Sequence, residues 1–204
     1  MPSNDPGAPD SPDAPDAPEP PRVVRRFGWQ NLFVHPDDDP RPQENHRGER
    51  DTLVGYLSAQ RLTLAMKCEG LDAEALARRS VEPSTLSLLG LVRHMADVEL
   101  SWFRRVMAGE DTERRFRTAA DRDADFTGAV ADPAVVEEAF TVWREEIAFA
   151  ERFVAEAPDL GVTGTLDGEP IELREVIVHM IEEYARHNGH ADLLRERIDG
   201  RVGA

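Results

Sequence analysis

The sequence is short of cysteine, of lysine, of long apolar runs and of positive charge. Cys68 is the only cysteine among 204 residues, which excludes an internal disulfide and any cysteine-rich metal cage. A lone cysteine at the end of a helical pattern reads as an inert core residue rather than a reactive thiol. No apolar run reaches the roughly 18 residues that a membrane span needs. The N-terminus also lacks the charged start and apolar core of a signal peptide, so the chain is expected to be cytoplasmic. Forty acidic residues against 24 basic ones leave a formal net charge of −16. Such a surface repels phosphate backbones and anionic headgroups, so neither nucleic acid nor a membrane is an expected partner. Lys67 is the sole lysine, the other 23 basic residues being arginine, a bias that the codons of a GC-rich genome account for without chemistry.

What is present is unevenly distributed. Eleven of the 15 prolines fall within residues 1–45, which places a tail there and one domain, with room for a real core, at 46–204. Residues 1–22 form a Pro/Asp/Ala repeat that cannot bury enough apolar surface to offset ordering entropy, so disorder is expected. FGWQNLF, with Phe27, Trp29 and Phe33, interrupts that composition. It reads as a patch packed on the outside of the domain, with a partner-docking motif as the sharper alternative.

From residue 49 the pattern turns helical. Leu53, Leu57, Gln60, Leu64 and Cys68 recur at steps of three or four, predicting a helix over 49–68. After the bridge LDAEALARRSVEP, Ser84 or Thr85 can cap a second helix that runs to Ala108, with Leu88, Leu91, Met95, Val98 and Trp102 on its apolar stripe. His94 lies at one edge of that stripe. A charged segment without sustained period, holding at most one short helix, precedes a third helix. This one starts at Pro133, is closed by Pro158, and places Val136, Phe140, Trp143, Ile147, Ala150 and Val154 on one face. The Asp167–Gly168 turn signal predicts a short hairpin or ordered loop. The last helix is expected over 171–198, with Leu173, Val176, Ile177, Met180, Tyr184, His187, Ala191, Leu194 and Ile198 facing inward. Four amphipathic helices and no long strand make an all-α helix bundle the natural architecture.

The chemistry concentrates in HMIEEYARHNGH, residues 179–190, which holds three of the six histidines. Glu183 and His187 are one turn apart, about 40° round the axis from each other, so both can point at one ion. His187 with His190 is the alternative pairing. A non-metal reading also stands: histidines from two helices can simply hydrogen-bond to the intervening glutamate. An ionised Glu183 facing a core needs compensation in either case. No Ser, Thr or Cys near the histidines suggests a nucleophile, so no catalytic group independent of a metal is expected.

STLSLLGLVRHMADVELSWF (84–103) and VHMIEEYARHNGHADLLRERIDG (178–200) resemble the signatures of the DinB-like superfamily, in its actinobacterial DUF664 branch. The resemblance covers residues 49–200 and implies a DinB-like four-helix bundle with up-down-down-up connectivity. It further implies a divalent metal held between a second-helix histidine, here His94, and a last-helix pair four residues apart. That pair is usually His-x-x-x-His followed by Arg-Gly-Gln. Here His187 precedes Asn188-Gly189-His190 and stands at the second position, so Glu183 occupies the place of the first histidine. His94, Glu183 and His187 then form the expected ligand set, with His190 as the alternative ligand and His179 and Glu99 as the residues that orient ligands. Two imidazoles and a carboxylate suit Zn, Ni, Fe(II) or Mn and leave positions open for substrate.

The superfamily includes metal-dependent S-transferases and isomerases that use a low-molecular-weight thiol, which in actinobacteria is mycothiol. The resemblance therefore implies a thiol transferase acting on small electrophiles, with mycothiol as co-substrate and a homodimer as the common assembly. A bundle that binds a metal or small ligand without catalysis is the alternative. Arg186 and Arg195 read as surface or salt-bridge residues before substrate contacts.

Overall fold

The computed structural model describes residues 32–41 and 45–202; the disorder expected of residues 1–22, and Phe27 and Trp29 of the aromatic patch, lie outside them. The chain is mostly helical. In order it forms α1 (Gly48–Cys68), α2 (Ala73–Ala77), α3 (Leu88–Glu99) continuing as a π-helical segment (Leu100–Met107), α4 (Ala124–Thr127), α5 (Pro133–Glu156), β1 (Thr163–Leu166), β2 (Glu169–Glu172) and α6 (Leu173–Asp199). The two strands pair antiparallel, Thr163 opposite Glu172. Asp167 and Gly168 both take positive φ, at 50° and 89°, as a two-residue hairpin turn requires.

Three helix starts follow short polar side chains. Asp72 accepts from the Ala75 N–H, Ser87 from Gly90 and Asp132 from Ala134, each satisfying a donor that has no partner within the helix. The second long helix therefore starts three residues later than a Ser84 cap, and two later than a Thr85 cap, would place it. Ser84 instead accepts from the Leu86 N–H in a local turn. α2 also forms inside what reads as a loop, because Asp72 caps it and Ala75 and Leu76 find cover in the core. α6 begins at Leu173 and not Ile171, since Ile171 is taken up by the hairpin.

α1 lies along α6 and α3 along α5, with further contacts of α3 to α6 and α1. Between them Leu64, Leu88, Leu91, Met95, Phe103, Ile177 and Met180 are excluded from solvent. The π-helical segment was not foreseen. There the Ala108 N–H donates to the Phe103 carbonyl, five residues back, and the wider turn rotates the buried face. Val98 and Trp102 are left half-buried, while Glu99, Leu100, Phe103 and Met107 go inside. On α5 the deepest residues are Ala139, Val142, Trp143, Glu146, Ala150 and Val154, with Val136, Phe140 and Ile147 only partly covered.

The described end of the aromatic patch is packed. Leu32 is buried and bridges Val202, and Phe33 lies 5.2 Å from Lys67 Nζ. Cys68 is buried, and burial pushes its thiol up to about 12, which makes it inert at neutral pH.

One polar chain crosses the core. Trp143 Nε1 of α5 donates to the Tyr184 hydroxyl (2.8 Å), which donates to Glu99 Oε1 of α3 (2.7 Å). Glu99 is fully buried and receives a two-pronged contact from Arg61 of α1, both distances 2.8 Å. Burial alone would lower the Arg61 pKa, but the Glu99 charge and hydrogen bonds outweigh it and the pKa is raised. Each long helix supplies one member. Removing one partner from such a pair strands a buried charge, so Arg61→Met and Glu99→Leu should each destabilise the fold by about 3–5 kcal/mol, whereas the double replacement should cost less than the sum of the two. Urea denaturation of the three variants measures this; strictly additive losses would show that the pair is not coupled.

Candidate metal centre

His94 enters from α3, and Glu183 and His187 stand one turn apart on α6. One ligand atom from each lies within 4.8 Å of the other two. The His94 and His187 ring centroids are 4.7 Å apart, and His187 Nε2 is 3.4 Å from Glu183 Oε2. The three side chains are 14%, 19% and 12% exposed in that order, covered but within reach of solvent.

The two imidazoles are prepared as lone-pair donors by different means. His94 Nδ1 is 2.8 Å from Oδ2 of the buried Asp125. A carboxylate only accepts, so Nδ1 carries the proton and Nε2 keeps its lone pair. For His187, burial first, and then the neighbouring His94 and His190, outweigh the pull of Glu183 and lower the pKa to about 4. His187 is thus neutral at pH 7 and available to a cation.

Asp125 is brought there by α3 itself. Arg93 donates from Nε to the Asp125 carbonyl (2.9 Å) and from Nη2 to the Ala124 carbonyl (3.0 Å), which pins α4 against α3. Phe126 stacks on the His94 ring at 5.3 Å and 25°. Gly90 permits this approach, because a Cβ there would sit 2.8 Å from Phe126 Cδ1. One turn further on, the buried Asp97 carboxylate accepts from the backbone N–H groups of Arg115, Phe116 and Arg117. Arg117 then reaches to 3.7 Å from Asp125. The segment that reads as a long charged loop is therefore held on α3 by Arg93 and Asp97.

Of the other residues singled out from the sequence, His179 Nε2 lies 3.6 Å from Glu183 Oε1 and its ring packs 4.3 Å from that of Trp102. His190 Nδ1 is 3.4 Å from His187 Nδ1, on the opposite side of that ring from Glu183. Glu99 is not brought to the cluster: its hydrogen-bond partners are Arg61 and Tyr184. Arg195 is buried and caps the end of α1, donating to the Lys67 and Glu69 carbonyls while pairing with Asp199. Asp125 escaped the sequence reading, since it lies 31 residues from His94 in a segment without period.

Asp125→Asn keeps the shape but loses the charge that orients His94, and should weaken divalent-metal affinity by about 10–100-fold; competition with a chelating dye measures it. For the metal-free chain the pH dependence has a definite sign. Its His187 pKa of about 4 lies below the ordinary 6.5, so unfolding takes up a proton between those values. Stability should be full above about pH 6.5, fall as the pH drops towards 4, and fall less in His187→Gln, as thermal melts across that range would reveal.

A comparison with curated proteins finds no match. The family model for mycothiol-S-transferases matches residues 52–200, a span that includes His94, Asp125, Glu183 and His187. Nearly three quarters of the sequence lies in that match, and the chain belongs to the mycothiol-S-transferase family.

Proposed function

We propose that this protein is a divalent-metal-dependent thiol S-transferase, with His94, Glu183 and His187 as the metal ligands and mycothiol as the thiol. The four long helices make up the DinB-like up-down-down-up bundle in this reading, over residues 46–204, and the working form is a cytoplasmic homodimer. The reading is carried by the convergence of three ligand atoms within 4.8 Å, on two helices, in a member of this family.

The donor set fits a divalent cation. Two neutral imidazoles and one carboxylate compensate part of its charge, and the set leaves coordination positions open. Zn, Ni, Fe(II) and Mn all accept such a set. When bound, the metal supplies Lewis acidity that lowers the pKa of a thiol at the site. The chain's own residues do the rest. Asp125 holds the proton at His94 Nδ1 and so fixes which nitrogen is basic. His179 leans on Glu183 Oε1 and limits the rotation of that carboxylate. Cys68 takes no part, being buried, so the attacking sulfur is that of the co-substrate.

Elemental analysis of tag-free protein should find about one equivalent of metal, lost in His94→Ala and Glu183→Ala; stoichiometric metal in both variants would eliminate the triad. The metal-loaded protein should conjugate mycothiol to monobromobimane well above the uncatalysed rate. Metal retention with no rate above background for several thiols would favour the second reading, a metal- or ligand-binding bundle without catalysis.

A further inference from the structure

α1 packs on α6 and α5 on α3, and the seam between α1 and α5 is left open as an apolar groove. Its larger part, about 610 Å³, lies between Leu62 and Met66 of α1, Leu71 just beyond it, and Val136, Phe140 and Ile147 of α5, all half-buried. A second cavity of about 540 Å³ continues it towards Val54 and Ala155, and the two share Ser58, Arg61 and Glu151. Arg61 and Trp143 also line the groove. Both are buried, and both belong to the polar chain that converges on Glu99.

The chain that precedes α1 already runs beside this groove. Pro40 lines it, and Arg41 reaches Thr63 of α1 at 3.4 Å. Phe33 shares a small crevice with Met66, which also lines the groove. The Phe33 ring lies 5.6 Å from the Arg195 guanidinium, which donates to the Glu69 carbonyl at 2.8 Å, and Glu69 lines the groove at the end of α1. Leu32, the first described residue, is fixed next to Phe33 by its bridge to Val202. Residues 23–31, VVRRFGWQN, come before it and lie outside the described residues. Trp29 stands three residues from Leu32 and Phe27 five, so extended backbone carries the two rings up to about 10 and about 17 Å away, enough to enter the groove.

Segment and groove match in chemistry. Phe27 and Trp29 are large apolar groups whose burial yields more than that of any other side chain type, and the half-buried wall offers them a seat. Residues 22–31 hold three arginines and no acid. The rim of the groove is acidic where they would pass. Glu69 and Glu151 are both exposed there, against Arg144 as the one exposed arginine of the larger part. The Glu69 carboxylate makes no hydrogen bond or ion pair with a described residue. Glu151 has only a 3.8 Å approach to Arg61, whose guanidinium is committed to Glu99. Two carboxylates without a close partner favour a basic occupant over an acidic one.

We propose that residues 23–31 dock in the α1–α5 groove of their own chain, with Phe27 and Trp29 against Leu62, Met66 and Phe140 and with Arg25 and Arg26 beside Glu69 and Glu151. The segment excludes water from Arg61 and Trp143, and so strengthens the hydrogen bonds through which they hold Glu99 and Tyr184. The docking stands apart from the metal centre and from the transferase reading.

The test uses the full chain with the photo-crosslinking residue p-benzoylphenylalanine in place of Trp29, irradiated and mapped by peptide mass spectrometry. Expected are crosslinks within one chain to residues 62–71 or 136–147. They should be lost in Leu62→Asp on one wall and in Ile147→Asp on the other, each checked for retained helicity by circular dichroism. Without the crosslinker, Phe27→Ala and Trp29→Ala should each lower the melting temperature by about 3–8 °C. That shift should not depend on protein concentration, and both variants should bind more Nile red as the groove opens. Crosslinks joining two chains, seen as a doubled mass, would overturn docking in the same chain and give the groove to a second copy. Crosslinks confined to other parts of the domain, or melting and dye binding unchanged in both alanine variants, would overturn the groove as the seat of this segment.

Discussion

The buried carboxylate of Glu99 is the point at which the four long helices meet. Arg61 neutralises it, Tyr184 donates to it, and Trp143 completes the chain through Tyr184. A charge this deep is tolerated only with such partners, so the network fixes the register of α1, α5 and α6 against α3. That register matters for the candidate metal centre because Tyr184 is the neighbour of Glu183. About 100° separates successive residues on a helix, so once Tyr184 is locked onto Glu99, the directions of Glu183 and His187 follow.

α3 does more per residue than any other element. Within three turns it provides Gly90 for the approach of Phe126, Arg93 for the α4 carbonyls, His94 for the cluster, Asp97 for the loop backbone and Glu99 for the core. The fold therefore shapes the site by spending α3 side chains on a segment that has little periodic structure of its own. Asp97 is the instructive case: three backbone N–H groups converge on one carboxylate, which satisfies donors that a helix or strand would otherwise have to pair.

The elements that could be read from sequence were those with a repeating apolar period or a strong local signal: α1, the Pro133 start of α5, the Asp167–Gly168 turn and the inward stripe of α6. The pairing of Glu183 with His187 was legible for the same reason. Glu99 was misplaced by proximity in sequence. Five residues along a helix correspond to about 500°, or 140° round the axis from His94, so the two side chains diverge, whereas Asp97 at about 300° stays near the same face. Asp125 had no comparable signal, since its place depends on how a non-periodic loop is tied down by residues far away in the chain. The π-helical turn is equally silent, because it alters hydrogen bonding without altering composition.

The sole lysine has a further consequence. Lys67 is buried, donating to the Asn188 carbonyl and to Asp192 with the Phe33 ring beside it, and burial lowers its pKa. The described part of the chain thus exposes no primary amine on any side chain. Acylation, carbamylation, amine-directed crosslinking and cleavage after lysine thus have no exposed side chain to act on among the described residues while the domain stays folded, and Lys67 becomes a built-in reporter: labelling at that residue by an amine reagent would register opening of the α1–α6 seam.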